Sequence, residues 1–306
     1  MENYTGFIEN ESSRNILANK NYKSRPETFT IINCVLNVPV MLISILGNAL
    51  VLTAIIRTPS IRSPSMIMLC SLAVSDLLVG FIAQPLFIAN ELIKENLVLY
   101  RVSSMIGFSA CGVSLASITL ISIDRFLAVQ YHTRYATLVR QSRVISIIVM
   151  IWLFTFVCSG FHIWNKFLHH LLAAIYIAIC LIISTFCYIR IYLTVRHHRS
   201  QIQAQQLAVQ CRYAANNTSM MRLKRNAVNT FLFYLFIIAC YLPAYVLLTI
   251  FGLGYMEWAT EWSITITVVF MNSSINPVLY CWRLRELRVA VVKTVKMVLR
   301  AQTDQD

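Results

Sequence analysis

Asp76, in the run Leu72-Ala73-Val74-Ser75-Asp76, is the one Asp, Glu, Lys or Arg inside any of seven long apolar stretches of this chain. A carboxylate near the middle of a bilayer costs several kcal/mol unless it is hydrated, paired, protonated or bound to a cation. Other stretches offer neutral partners: Asn48 in the first, Ser114 in the third, and Asn272, Ser273 and Asn276 in the seventh. One carboxylate among neutral oxygens suits a small hard cation such as sodium, held by Asp76, Ser114 and Asn272. The same residues serve equally as a hydrogen-bonded core that joins helices.

A second group is the adjacent pair Asp124 and Arg125, which closes the uncharged stretch from Val102 to Ile123. At a membrane edge a guanidinium exchanges one partner for another at modest cost, which a deeply buried ion pair cannot do. Arg125 is therefore a candidate two-state switch, or else a snorkelling anchor. Catalytic arrangements are missing from the pattern. No paired aspartates and no Ser–His pair occur in adjacent stretches. His162, His169 and His170 lie at a mouth without metal-type partners and read as interfacial polar residues. The chain is not expected to be an enzyme.

Such groups need elements to hold them. Of 306 residues, 58% are hydrophobic and 13% charged, which makes lipid the more plausible solvent. About 20 apolar residues are needed to cross the hydrocarbon core. The stretches Cys34–Ile56, Met66–Asn90, Val102–Ile123, Val144–Asn165, Leu171–Ile189, Asn226–Met256 and Trp262–Trp282 each qualify. The expected fold is an all-α membrane protein, a seven-transmembrane helix bundle. Most of the 26 Lys and Arg fall on one side if the N-terminus is outside, so that side is cytoplasmic and so is the C-terminus. The net charge of +13 is a topology signal and an attraction to an anionic leaflet, not a nucleic-acid footprint.

Three regions follow: an extracellular polar tail over 1–28, a seven-transmembrane bundle over 29–282, and a cytoplasmic amphipathic helix and tail over 283–306. The tail carries glycosylation sequons at Asn3 and Asn10. A third such triplet, at Asn217, sits in the basic inner connection, where no glycan is expected. The turn from Thr58 to Pro64 holds two prolines and cannot be helical throughout. Only about five residues around Lys166 separate the fourth and fifth spans, and the inner connection from Arg196 to Arg222 is expected to extend the flanking helices. Seven of the cysteines lie within or at the edges of the spans, while Cys211 and Cys281 are cytoplasmic or at that boundary. None lies in an outer loop, so no outer disulfide is expected. After Tyr280, the positions Leu284, Leu287, Val291, Val295 and Val298 recur at helical steps, with Arg285, Arg288, Lys293 and Lys296 largely elsewhere. This amphipathic helix is suited to the inner membrane surface, or to a partner.

In register along the seven spans stand Asn48 in GNALVL, Asp76 in LAVSD, Asp124 and Arg125 in DRF, and Trp152. They are followed by Tyr188 in FCYIRIY, Pro243 in CYLP, and NPVLY from Asn276 through Pro277 to Tyr280. In order and spacing the chain resembles the rhodopsin-like G-protein-coupled receptors over roughly residues 30–300. The resemblance implies a plasma-membrane receptor that carries an extracellular ligand's signal to a heterotrimeric G protein. It implies that Asp124 holds Arg125 at rest and that the sixth helix swings outward on activation, freeing Arg125 for the G protein. Tyr188 and Tyr280 would then turn inward to steady the open state. Pro243 has no N–H and weakens the sixth helix where such a swing needs a kink.

The chain departs from that family at Tyr100, in place of a bridging cysteine, and at Cys180, in place of a helix-bulging proline. Tyr241 and Ile237 replace a tryptophan and a phenylalanine of the activation relay. In scaffold it is most similar to the group of melanocortin, cannabinoid, lysophospholipid and adenosine receptors. Yet Leu86, Tyr100 and Ser104 stand where melanocortin receptors carry acids, and Leu248 where adenosine receptors carry asparagine. Gly107 excludes an amine receptor's carboxylate, and the seventh span lacks a Schiff-base lysine. Phe108, Cys111, Tyr176, Tyr241, Tyr245, Trp262, Ile266 and Phe270 form the expected ligand pocket, aromatic and without formal charge. That suits a neutral or lipophilic ligand, whereas the rim residues Glu91, Glu95, Glu257 and Glu261 suit a basic peptide. An ion-coupled transporter or channel using Asp76 is the alternative function.

Overall fold

The computed structural model describes residues 27–61, 63–93, 96–131, 134–208, 234–250 and 259–303, and every regular element among them is helical. The long helices are α1 (Glu27–Arg57), α2 (Pro64–Ile93), α3 (Leu97–Gln130), α4 (Gln141–Trp164) and α5 (Lys166–Ala208). They are followed by α6 (Tyr234–Ile250), α7 (Ala259–Arg283) and α8 (Arg285–Thr303). By length and composition α1 to α5 and α7 can each cross a membrane, and α6 is a shorter apolar helix. The tail with Asn3 and Asn10, Arg62, Glu95, the inner connection with Cys211 and Asn217, and the sixth-span residues 226–233 and 251–256 with Glu257 lie outside the described residues.

The bundle is polar inside and apolar outside. Leu36 and Leu46 of α1 and Met150, Leu153 and Val157 of α4 are exposed, whereas Asn37, Ser44, Asn48, Asp76, Gln84 and Asn272 are buried. Only a lipid solvent rewards that distribution. α3 runs through the middle, against α2, α4, α5 and α7, while α1 packs on α2 and α7. Three glycines permit close approaches, among them Gly80, where a Cβ would stand 2.8 Å from Ile45 Cγ1 of α1. A Cβ on Gly112 would stand 2.6 Å from Thr155 Cγ2 of α4, and one on Gly47 would stand 2.9 Å from the Pro277 ring of α7.

Local chemistry sets the helix ends. Ser63 caps α2 by accepting the Met66 N–H, with Pro64 in the first turn, where its missing N–H costs nothing. Asn96 caps α3 through the Leu99 N–H at 2.9 Å. Within α2 a π-turn over Val79–Ala83, closed by the Gln84 N–H on Val79 O, adjoins Pro85, whose ring removes a ladder donor. The proline-rich turn after α1 is short 3-10 helix at Pro59–Ile61, as its two prolines require.

Three boundaries differ from the sequence expectation. The apolar run of α3 ends at Ile123, but the helix continues to Gln130, so Asp124 and Arg125 sit on helical backbone rather than at its end. α4 and α5 are parted by a single non-helical residue, Asn165, rather than about five. Its backbone N–H bonds back to Phe161 O while its side chain caps the next helix at the Leu168 N–H. α8 turns Leu287, Ala290 and Thr294 into the bundle and packs on α1 and α7, so its buried stripe is covered by protein. Val289, Val292 and Met297 are the apolar side chains it leaves exposed. No disulfide joins any of the described cysteines.

Candidate functional site

Three polar centres are strung along α3. At one end Asp124 is fully buried and accepts two hydrogen bonds, from Ser65 Oγ of α2 at 2.7 Å and from Tyr135 OH at 2.6 Å. Arg125 Nη2 lies 3.5 Å from Asp124 Oδ2, with the Arg125 side chain partly exposed. Tyr135 belongs to the single helical turn Tyr135–Leu138 that follows α3. Burial, and then the bond to Asp124, holds its phenol above the ordinary tyrosine value, so it stays a donor at neutral pH. Tyr188 and Tyr280 are both buried at this end. Tyr188 packs on Tyr234 of α6 with ring centroids 4.9 Å apart, and Tyr234 shares a hydrogen bond with Thr185.

Midway along α3, Ser114 Oγ donates to Asp76 Oδ1 at 2.9 Å and Asn276 Nδ2 donates to Oδ2 at 2.9 Å. Asn48 Nδ2 ties Ser44 O to Ser273 O, and Ser44 Oγ donates to Asp76 O, so α1, α2 and α7 meet here. Every side-chain donor on Asp76 is neutral. Asn272 is fully buried, and both its amide atoms lack hydrogen-bond partners among the described residues, as does Asn276 Oδ1. A buried carboxylate without a basic partner, together with unpaired amide oxygens, fits a hard cation. Elsewhere in this layer Trp152 Nε1 donates to Ser71 Oγ at 3.1 Å, tying α4 to α2.

At the opposite end a cavity of about 1140 Å³ opens among α1 to α7, with α3 and α5 supplying much of its wall. Of the pocket residues expected from sequence, Phe108, Cys111, Tyr176, Tyr241, Trp262, Ile266 and Phe270 line it and Tyr245 does not. Tyr245, half-buried on α6, packs against the apolar core instead, because its position on the helix faces away from the opening. Tyr241 OH reaches Cys111 O at 3.4 Å and Tyr176 OH reaches Gly112 O at 3.0 Å, fastening α6 and α5 to α3. The lining is not without charge, because Glu27, Glu91 and Lys166 share it, together with the polar rings of His169 and His170.

Residues 47–165 match the model of a family described as 7 transmembrane receptor (rhodopsin family). The chain is 25% identical to adenosine receptor A2b of Gallus gallus over 87% of its own length and 88% of that receptor's. It is 26% identical to melanocortin receptor 4 of Danio rerio over 81% of this chain and 78% of that one. Melanocortin receptor 5 of Homo sapiens is 25% identical over 84% and 81%. Over most of its length the chain is thus similar to receptors of the rhodopsin-like seven-transmembrane family. These relatives are receptors, and the long apolar helices are those of a multi-pass membrane protein.

Two features of this receptor escape a reading of its sequence alone. The first is a buried chain of hydrogen bonds near the cavity. Ser263 Oγ donates to Glu91 Oε2 at 2.9 Å, and Asn33 Nδ2 donates to Ser263 Oγ at 3.0 Å. Thr267 Oγ1 donates to Asn33 Oδ1 and accepts from Asn37 Nδ2, each at 2.9 Å. The signal was present as two polar pairs at i, i+4, Asn33 with Asn37 and Ser263 with Thr267, inside otherwise apolar spans. The second is the histidine group. His162, His169 and His170 are 2%, 3% and 7% exposed, so they are not interfacial residues but part of the packed wall. The single-residue break at Asn165 folds α5 back on α4 and brings the rings together, His162 and His169 centroids lying 5.1 Å apart. Among the described residues no group of His, Cys, Asp or Glu is placed to hold a metal ion.

Proposed function

We propose that this receptor is a plasma-membrane G-protein-coupled receptor, with the Arg125 end in the cytoplasm and the cavity open to the outside. A ligand in the cavity touches α3, α6 and α7 together, and a heterotrimeric G protein is engaged at the Arg125 end by outward movement of α6. The observation that carries this reading is the state of Asp124. Its carboxylate is buried and held by Ser65 and Tyr135, and it pins Arg125 at 3.5 Å, which is how a resting switch is held. Pro243 inside α6 supplies the weakened ladder for the swing. Sodium in the polar layer at Asp76, Ser114 and Asn272 would favour the resting packing by differential binding. The ligand is one with a largely apolar body, because aromatic and aliphatic side chains form most of the cavity wall.

Nucleotide exchange on a panel of G proteins tests this. Membranes carrying the receptor are compared with membranes carrying Arg125→Ala at equal surface expression. Exchange that depends on Arg125 supports the reading, and basal and extract-driven exchange that is indifferent to Arg125 overturns it.

A further inference from the structure

Two residues of the cavity wall, Thr30 and His169, carry a buried polar atom without a partner among the described residues, and His169 is the one that stands among the aromatic rings. His169 on α5 lines the opening and is 3% exposed. Its Nδ1 lies 3.3 Å from Cys158 O of α4. A carbonyl oxygen only accepts, so Nδ1 carries the ring proton and donates it there. In the neutral imidazole the other nitrogen, Nε2, is then a bare acceptor. It has no hydrogen-bond partner among the described residues. An unsatisfied buried acceptor costs about 1–3 kcal/mol, which a bound donor recovers.

The surroundings say what kind of molecule brings that donor. The Phe108 ring meets His169 edge-on at 4.4 Å and lies 5.9 Å from Trp262, so the imidazole stands beside an aromatic wall. His162 closes the other side. Lys166 also lines the cavity, but its ammonium lies over the Tyr100 ring, 4.8 Å from its centroid.

We infer that His169 is a specificity-determining contact of this receptor, accepting through Nε2 a hydrogen bond from a lipophilic ligand that carries a neutral hydroxyl or amide N–H beside an aromatic or apolar body. This deepens the reading of the cavity as the ligand site and rests on it. It also separates the candidates left by the wall alone. A purely hydrocarbon ligand leaves Nε2 unpaired, and a carboxylate brings no donor.

The test uses matched probes on the full-length receptor in lipid nanodiscs, with empty nanodiscs as the blank. Tritiated 1-hydroxypyrene, 1-methoxypyrene and 1-pyrenecarboxylate share one aromatic body and differ in donor capacity and charge. Saturable binding of 1-hydroxypyrene about tenfold tighter than 1-methoxypyrene is expected. In His169→Phe, which keeps a flat ring against Phe108, the preference falls to near unity while 1-methoxypyrene binding is unchanged. Should that variant not fold, His169→Gln is read instead: its amide keeps an acceptor, and a preference above about threefold is expected. The inference is overturned by equal affinities in the wild type, by a preference that survives in His169→Phe, or by one lost in His169→Gln. Tightest binding of the carboxylate, or no saturable binding of any probe, overturns it as well. No G protein takes part, so failure here and failure of the signalling reading are seen separately.

Discussion

The Tyr135 hydroxyl donates to Asp124 Oδ1 at 2.6 Å, from a helical turn beyond the end of α3. Asp124 is thereby fixed by a neighbouring element and not only by the arginine beside it. Its second oxygen is shared between Ser65 and Arg125. A side chain outside the membrane spans thus helps set how firmly the Asp124–Arg125 pair is held.

Tyr135→Phe removes that donor and leaves the ring. A hydrogen bond to a charged group contributes about 1.5–3 kcal/mol when buried, and less at this half-buried site. We expect basal nucleotide exchange to rise several-fold, with Ser65→Ala acting in the same direction. Unchanged basal exchange in both variants would show that Asp124 is held without them.

The Tyr135 contact also has a pH window. Its phenol is held above the ordinary value, so the folded state binds that proton more tightly than the unfolded one. The stabilisation is whole below about pH 10, the unfolded value, and fades as pH rises through the higher folded value. Between pH 6 and about pH 9 the melting difference between wild type and Tyr135→Phe should stay constant, then shrink above about pH 10. A difference that already shrinks at neutral pH would contradict this ordering.

At the polar layer, purified receptor in sodium chloride should melt at a higher temperature than in choline chloride of equal ionic strength. Asp76→Asn removes the charge, and the sodium effect should vanish with it. Asn272→Ala should weaken the effect, because its amide oxygen is a buried acceptor without a partner among the described residues. A sodium increment that persists in Asp76→Asn would assign the layer to helix packing alone.

The hydrogen-bond chain from Glu91 to Asn37 joins α2, α7 and α1. Asn33 both donates to Ser263 and accepts from Thr267, so Asn33→Leu removes one hydrogen bond from each hydroxyl, while Ser263 keeps Glu91 and Thr267 keeps Asn37 and Ser263 O. A loss of about 1–2 kcal/mol, read as a lower melting temperature, is expected. Glu91→Gln keeps an acceptor for Ser263 and should cost less.

Gly112→Ala places a Cβ 2.6 Å from Thr155 Cγ2, against a side chain whose hydroxyl is tied to Ile151 O at 2.7 Å. The clash must push α3 from α4, for about 1–3 kcal/mol. Because Tyr176 bonds Gly112 O, ligand-probe affinity should fall with stability. Thr155→Ala in the same chain should restore both.

By itself the sequence determined the solvent and the apolar helical spans, and it singled out the charges that stand in and beside them. Apolar runs long enough to cross a bilayer leave few alternatives, since in lipid a backbone must satisfy its own hydrogen bonds and the helix is the simplest way. Asp124, Arg125 and Asp76 were legible because a charge in or beside such a run is costly and therefore conspicuous. Helical spacing carried the amphipathic stripe of α8. What only the tertiary structure decided is which neutral polar residues meet. Asn33, Ser263, Thr267 and Glu91 are short or common side chains far apart in the chain, and their partnership depends on how α1, α2 and α7 are rotated about their axes. Tyr135 was hidden for the same reason, because nothing in its local pattern says that a turn beyond α3 folds back onto Asp124. His162, His169 and His170 were misread as interfacial because the sequence cannot show that one asparagine closes α4 and opens α5, folding the three rings into a buried wall. Helix formation is local, whereas the rotation and depth of each helix are set by packing across the whole bundle.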